Sequence, residues 1–188
     1  MKKLILASNS PRRKELLQQI QMEFESDPSQ LEEVLDLQLT PDEMVLRLAK
    51  AKAQDVSSRH KTGRILAADT MVIFNEHRLG KPKNRQDAAT MLRLLSGQRH
   101  QVMTAVVLFD LDTHRMKEAV ETTKVTMGHI SEIELEWYLN SGEPFGKAGA
   151  YAIQGLAARF IQSVDGCYYN VIGLPLFRVI QMMKELDE

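Results

Sequence analysis

The sequence predicts an α/β protein, a mixed β-sheet with flanking helices. Three observations predict it. Short runs of Ile, Val, Leu and Met alternate along the chain with segments of helical apolar spacing. Two of the helical segments open on capping-box signatures, Thr40-Pro41-Asp42-Glu43 and Ser131-Glu132-Ile133-Glu134. Two strand-like runs, Gln101 to Asp110 and Lys117 to Met127, flank Asp112-Thr113-His114 as a hairpin, which argues against a purely parallel sheet.

The elements follow in order. Leu4-Ile5-Leu6-Ala7 is a short strand, broken by Ser8-Asn9-Ser10. Pro11 opens a helix carrying Leu16, Leu17 and Ile20, with Ser10 as its expected N-cap. Met22 to Ser26 is expected as a second strand, followed by a loop holding Glu32 and Glu33. The helix from Pro41 sets Met44, Leu48 and Ala51 on one face. Arg64 to Phe74 is a strand containing Asp69, and Asn75-Glu76-His77 turns it. A helix begins at Asn84 or Arg85 and stops at Ser96-Gly97. After the hairpin, the Ser131 helix holds Leu135, Trp137, Tyr138 and Leu139, and Lys147 to Gln154 is small and Gly-rich. Phe160-Ile161 and Val164 indicate a strand, and Pro175 opens a terminal helix with Leu176, Val179, Ile180 and Met183. No repeat, low-complexity tract or linker divides residues 1–188, which read as a single domain.

Composition narrows the function. A formal net charge of -1 argues against a dedicated nucleic-acid binder. No apolar run has membrane-spanning length, and the four apolar residues Leu4 to Ala7 are too few for a signal-peptide core, so the expected location is cytoplasmic. A lone cysteine, Cys167, agrees with a reducing compartment and is expected as a small buried hydrophobe. The five histidines show no metal-ligand spacing. Gly142 to Ala148 fails as a P-loop, because three residues separate its glycines and Ala148 stands where Ser or Thr is required.

A polar constellation remains. A strand running into a helix N-terminus, with Ser8, Ser10, Arg12 and Arg13 at that point, can seat a polyphosphate. Lys52 and Lys81 add cations, and Glu33 and Asp69 add carboxylates able to share a hard divalent ion with phosphate. Taken singly, Lys52 and Glu33 read as solvated surface charges. Asp69 does not, since a carboxylate inside Ala67-Ala68-Asp69-Thr70-Met71 is costly unless bonded or functional.

These residues fall into blocks that resemble the Maf family of nucleoside triphosphate pyrophosphatases. The blocks are Leu4 to Arg13 with Glu15-Leu16-Leu17, Ala68-Asp69-Thr70, Leu79-Gly80-Lys81-Pro82, Leu95-Ser96-Gly97, Val102-Met103-Thr104, Glu121-Thr122-Thr123, Lys147 to Gly155 and Asn170 to Leu176. The resemblance implies an inosine triphosphate pyrophosphatase-like fold of two lobes around a cleft. It implies hydrolysis of a nucleoside triphosphate to monophosphate and pyrophosphate with Mg2+, Mn2+ or Co2+. Carried over by position, Asp69 is the general base, Ser8, Arg12, Arg13, Lys52 and Lys81 hold the triphosphate, and Glu33 with Asp69 holds the metal. Thr70 and Gln154 resemble the subgroup acting on dTTP, UTP and modified pyrimidines in a house-cleaning role, with Arg12 a third specificity position. An amide that donates and accepts suits the edge of uracil or thymine. Gly146, where many members carry an acidic residue, and the bulky Cys167-Tyr168-Tyr169 depart from the pattern. A homodimer is common for such folds. The alternative expectation is a nucleotide-sensing or nucleic-acid-binding regulator of septum formation with little catalysis.

Overall fold

Apolar strands paired edge to edge organise the chain. In the computed structural model, which describes residues 2–32, 34, 36 and 38–188, seven strands form one mixed sheet. They are β1 (Leu4–Leu6), β2 (Glu25–Ser26), β3 (Arg64–Phe74), β4 (His77–Leu79), β5 (Arg99–Asp110), β6 (Arg115–Met127) and β7 (Ile161–Asp165). Their order is β2-β1-β3-β5-β6-β7, with β4 beside β3. β1 runs parallel to both β2 and β3, whereas β4 pairs antiparallel with β3 and β7 with β6. The helices are α1 (Pro11–Gln19), α2 (Pro41–Ser57), α3 (Arg85–Leu95), α4 (Glu132–Asn140), α5 (Tyr168–Ile172) and α6 (Leu176–Asp187).

The chain divides into two compact units, one comprising residues 1–69, 104–121 and 173–188 and the other residues 70–103 and 122–172. In the first, α1, α2 and α6 contribute Leu17, Met44, Val45, Ala49 and Val179 to a core completed by Ile5, Ile65, Leu66 and Val107. An ion cluster fastens α6 there. Arg64 is buried between Asp110 and Asp187, and Lys2 closes on Asp110 at 2.8 Å. Burial pushes the Asp110 carboxyl up, but hydrogen bonds from Lys2 and Arg64 outweigh that and hold it below the ordinary carboxylate range. In the second unit, α3 and α4 contribute Leu92, Leu95, Leu135, Tyr138 and Leu139.

Local chemistry explains most of the elements. Both expected capping boxes form, at Thr40–Glu43 and Ser131–Glu134, and Asn84 caps α3 through the Asp87 N–H. Several expectations need correction. Ser10 stands at the N-cap of α1 but its side chain makes no capping bond. The strand expected over Met22 to Ser26 shrinks to Glu25–Ser26, both exposed. Cys167 is half-buried, because its backbone N–H and carbonyl, held by the Thr123 hydroxyl, fix its place. Trp137 stays partly exposed, with the Arg159 guanidinium 4.7 Å over its ring, since Leu135, Tyr138 and Leu139 form the inward stripe of α4. Residues 168–172, given no element from sequence, form α5, and the Asn170 side chain donates to the Val102 carbonyl at 2.9 Å.

Candidate active site

In the first unit, side-chain bonds hold two sets of charged residues, one at the β1–α1 turn and one on β3. β1 stays paired to β3 past its end, where the Ala7 N–H donates to the Leu66 carbonyl at 2.8 Å. The chain then turns, and the buried Ser8 hydroxyl accepts from the Ser10 N–H at 3.2 Å and from Arg13 Nη1 at 3.1 Å. Arg13 also donates from Nε to the Gly173 carbonyl at 2.8 Å, just before α6. The hydroxyl that organises this turn is therefore that of Ser8, and Arg13, in the first turn of α1, is buried. Arg12 is half-buried beside it. Burial lowers the Arg12 guanidinium from its ordinary value, and Glu15 only partly opposes this. A desolvated cation of this sort favours an arriving anion.

Asp69 is the buried carboxylate of β3. Lys52, in the last third of α2, places Nζ 2.5 Å from Asp69 Oδ1, and the two side chains are 13% and 9% exposed. Lys52 is thus no solvated surface charge, because α2 carries it inward to a strand carboxylate. This bond stabilises a carboxylate that an apolar strand would otherwise exclude.

The second unit holds the remaining candidates differently. Thr70 follows Asp69 on β3 and is half-buried. Lys81 lies two residues past β4 and is exposed. Its neighbour Gly80 accepts from the Gly149 N–H at 3.1 Å, so the Lys81 and Lys147–Gly155 blocks lie together. Gly149 has φ +68 and sits where a Cβ would stand 2.9 Å from a Val72 methyl, a place only glycine can occupy. Thr70 projects from the same face of β3 as Val72, by strand alternation. Gln154 lies exposed in a turn closed by the Gly155 N–H to the Ala152 carbonyl at 3.0 Å.

Sequence reasoning did not single out Glu143. Its half-buried carboxylate accepts from the Tyr138 hydroxyl and from the Leu156 and Ala157 N–H groups. No local spacing signals this, because besides Tyr138, five residues earlier, its partners are backbone groups 13 and 14 residues away.

Glu33 lies outside the described residues. Among the described residues no three His, Cys, Asp or Glu stand together as a metal centre. A divalent ion carried on a triphosphate takes its oxygens largely from phosphate and water, with one or two carboxylates. The buried Asp69 fits a metal that arrives on its substrate, and the described donor set does not make a resident all-protein centre.

A mixed α/β frame with buried and half-buried cations, one of them paired with a buried strand carboxylate, defines a class of protein suited to binding an anion. The particular family is shown by the whole sequence. The profile of the Maf-like protein family matches residues 3–186, and the chain belongs to that family. It is 49% identical over 184 residues to the dTTP/UTP pyrophosphatase of Halalkalibacterium halodurans, covering 98% of this chain and 96% of the relative. It is 44% identical over 189 residues to the dTTP/UTP pyrophosphatase of Ruminiclostridium cellulolyticum, covering 100% and 98%. Among solved structures, the Staphylococcus aureus Ham1 protein aligns with TM-score 0.45 at 15% identity, covering 67% of this chain and 72% of that one. No helix of the described residues is long and apolar enough to cross a membrane.

Proposed function

We propose that this chain hydrolyses dTTP and UTP, and their modified pyrimidine relatives, to the monophosphate and pyrophosphate, in the cytoplasm where these nucleotides are made and used. The observation that carries the reading is the buried Asp69–Lys52 pair at 2.5 Å on an apolar strand. A carboxylate must be ionised to accept a proton, and a lysine ammonium at hydrogen-bond distance favours that form. Asp69 takes the proton of a water that attacks the α-phosphorus. The bond from that phosphorus to the bridging oxygen breaks, and pyrophosphate leaves. Ser8, Arg12, Arg13, Lys52 and Lys81 hold the triphosphate and spread its charge. Asp69, with Glu33, is the group that would hold Mg2+, Mn2+ or Co2+, whose contribution is to neutralise phosphate oxygens. Thr70 and Gln154 read the base, the amide donating to one position of the pyrimidine edge and accepting from the next. The full-length similarity to two proteins named dTTP/UTP pyrophosphatase supports the substrate choice.

The test is pyrophosphate release from dTTP, UTP, CTP, GTP, 7-methyl-GTP and ITP with Mg2+ or Mn2+. Turnover of dTTP and UTP should exceed that of the purines at least about tenfold, the discrimination expected when a site pairs with a base edge. A purine preference would overturn the roles of Thr70 and Gln154. No turnover by folded protein would overturn the enzymatic reading.

A further inference from the structure

Gln154 is exposed, and an exposed amide presents one edge to a ligand only if the backbone beneath it is fixed. Besides the turn's own Gly155 N–H to Ala152 carbonyl bond, a pair of side chains fixes it from both flanks. On one flank of its turn, the Ala152 N–H donates to the Tyr138 hydroxyl oxygen at 3.3 Å. On the other, the Leu156 N–H donates to Glu143 Oε2 at 2.9 Å and the Ala157 N–H to Glu143 Oε1 at 3.2 Å. The pair is closed by the Tyr138 hydroxyl donating to Glu143 Oε1 at 2.9 Å. Tyr138 is itself fully buried on α4, edge-on to Phe160 with ring centroids 5.7 Å apart. Gly155 lies flat against the carboxylate, where a Cβ would meet Oε2 at 2.2 Å.

We propose that Tyr138 and Glu143 are positioning residues, which clamp both flanks of the Gln154 turn and thereby set selectivity for the base. The inference rests on the base-reading role of Gln154. These bonds end on backbone N–H groups beside Gln154, so the pair acts through that residue. A substrate that makes no use of the Gln154 amide is indifferent to it.

Two variants test this. Glu143→Gln keeps the side-chain volume but turns one acceptor oxygen into an NH2 that faces a backbone N–H donor. Tyr138→Phe deletes the hydroxyl shared by Glu143 and the Ala152 N–H. Each should lower kcat/KM for dTTP and UTP roughly tenfold, chiefly through KM, while GTP changes less than about twofold. Added to Gln154→Ala, Glu143→Gln should cost nothing more, since both act on one contact. Circular dichroism identifies the folded variants, and either one alone suffices.

Gln154→Ala by itself separates the two failures. If it leaves the dTTP:GTP ratio unchanged, the base-reading role falls and the inference falls with it. If it collapses the ratio while folded Glu143→Gln or Tyr138→Phe keeps it, the positioning role alone falls. Equal losses for all nucleotides, or losses additive with Gln154→Ala, also overturn the positioning role.

Discussion

The two compact units hold their candidate residues in opposite ways. In the first, the side chains themselves are fixed and dry: Arg13 on Ser8 and on the Gly173 carbonyl, Lys52 on Asp69. In the second, Lys81 and Gln154 are exposed and the order lies in the backbone beside them. Gly149 is bonded to Gly80 next to Lys81, and Ala152, Leu156 and Ala157 are tied down around Gln154. The difference teaches what each kind of task demands. A group that handles charge and protons gains from a low dielectric and a preset orientation. A group that reads the edge of a ligand must stay accessible until the ligand arrives, so its precision has to come from the main chain.

The sharpest way to break this contrast is Asp69→Asn, which keeps the volume and removes the proposed base. Turnover should fall roughly a thousandfold, within the usual range for general-base catalysis, while nucleotide affinity changes less than about threefold. Pyrophosphate release and equilibrium titration, run where circular dichroism shows folded protein, give the two numbers. An affinity that falls as far as turnover would make Asp69 a binding group and erase the distinction between the units.

Acid should sharpen the contrast. In the second unit His100 is buried, with Nε2 2.7 Å from the Tyr151 hydroxyl, and burial pushes its imidazole down to about 4. The unfolded chain protonates near the ordinary value of 6.5, so between the two values it binds more protons than the folded protein. Stability is therefore untouched above that window and falls as pH drops through it, by on the order of 3 kcal/mol at its foot. Asp110 in the first unit acts in the same direction but in a more acid window. Its carboxyl is held below the ordinary range, so its contribution is intact above the ordinary carboxylate value and is lost as pH falls from there through the lowered one. Urea unfolding at several pH values between 7 and 4 should show a decline that His100→Gln flattens. A decline of equal slope in the variant would remove His100 as its source.

Legibility in the sequence divides along the reach of the interactions. The two capping boxes, the Asn84 cap and the β5–β6 hairpin rest on contacts a few residues apart, and the residues name them. Asp69 was visible because a carboxylate in an apolar strand violates a local rule, but nothing local says that Lys52, 17 residues earlier, is its partner. Arg13 was visible as a cation at a helix start, yet its bond to the Gly173 carbonyl spans 160 residues. Glu143 follows a helix stop like many surface glutamates, and only the fold brings the Leu156 and Ala157 N–H groups onto it. The short α5 was hidden for another reason. Tyr168-Tyr169-Asn170-Val171-Ile172 has a strand-like composition, and the Asn170 bonds to Val102 and Thr123 override that propensity.

The smallest effect should come from the neighbouring arginines, and it tests whether the first unit itself contains both kinds of order. Arg13 is tied to Ser8 and Gly173, so Arg13→Ala removes two bonds that hold the β1–α1 turn and the start of α6. It should therefore lower both stability and turnover. Arg12 carries a guanidinium that burial has shifted downward against the pull of Glu15, and charge that is costly to desolvate is compensated when an anion binds. Arg12→Ala should cost about 1.5–3 kcal/mol in kcat/KM, the range for a hydrogen bond to a charged group, and lower the unfolding midpoint less than Arg13→Ala does. Turnover and urea midpoints of the two variants decide the matter. If Arg12→Ala leaves the rate intact, Arg12 lies outside the substrate's reach. If it unfolds the protein as readily as Arg13→Ala, the pair is a structural cluster, and the phosphate-holding role passes to Lys52 and Lys81.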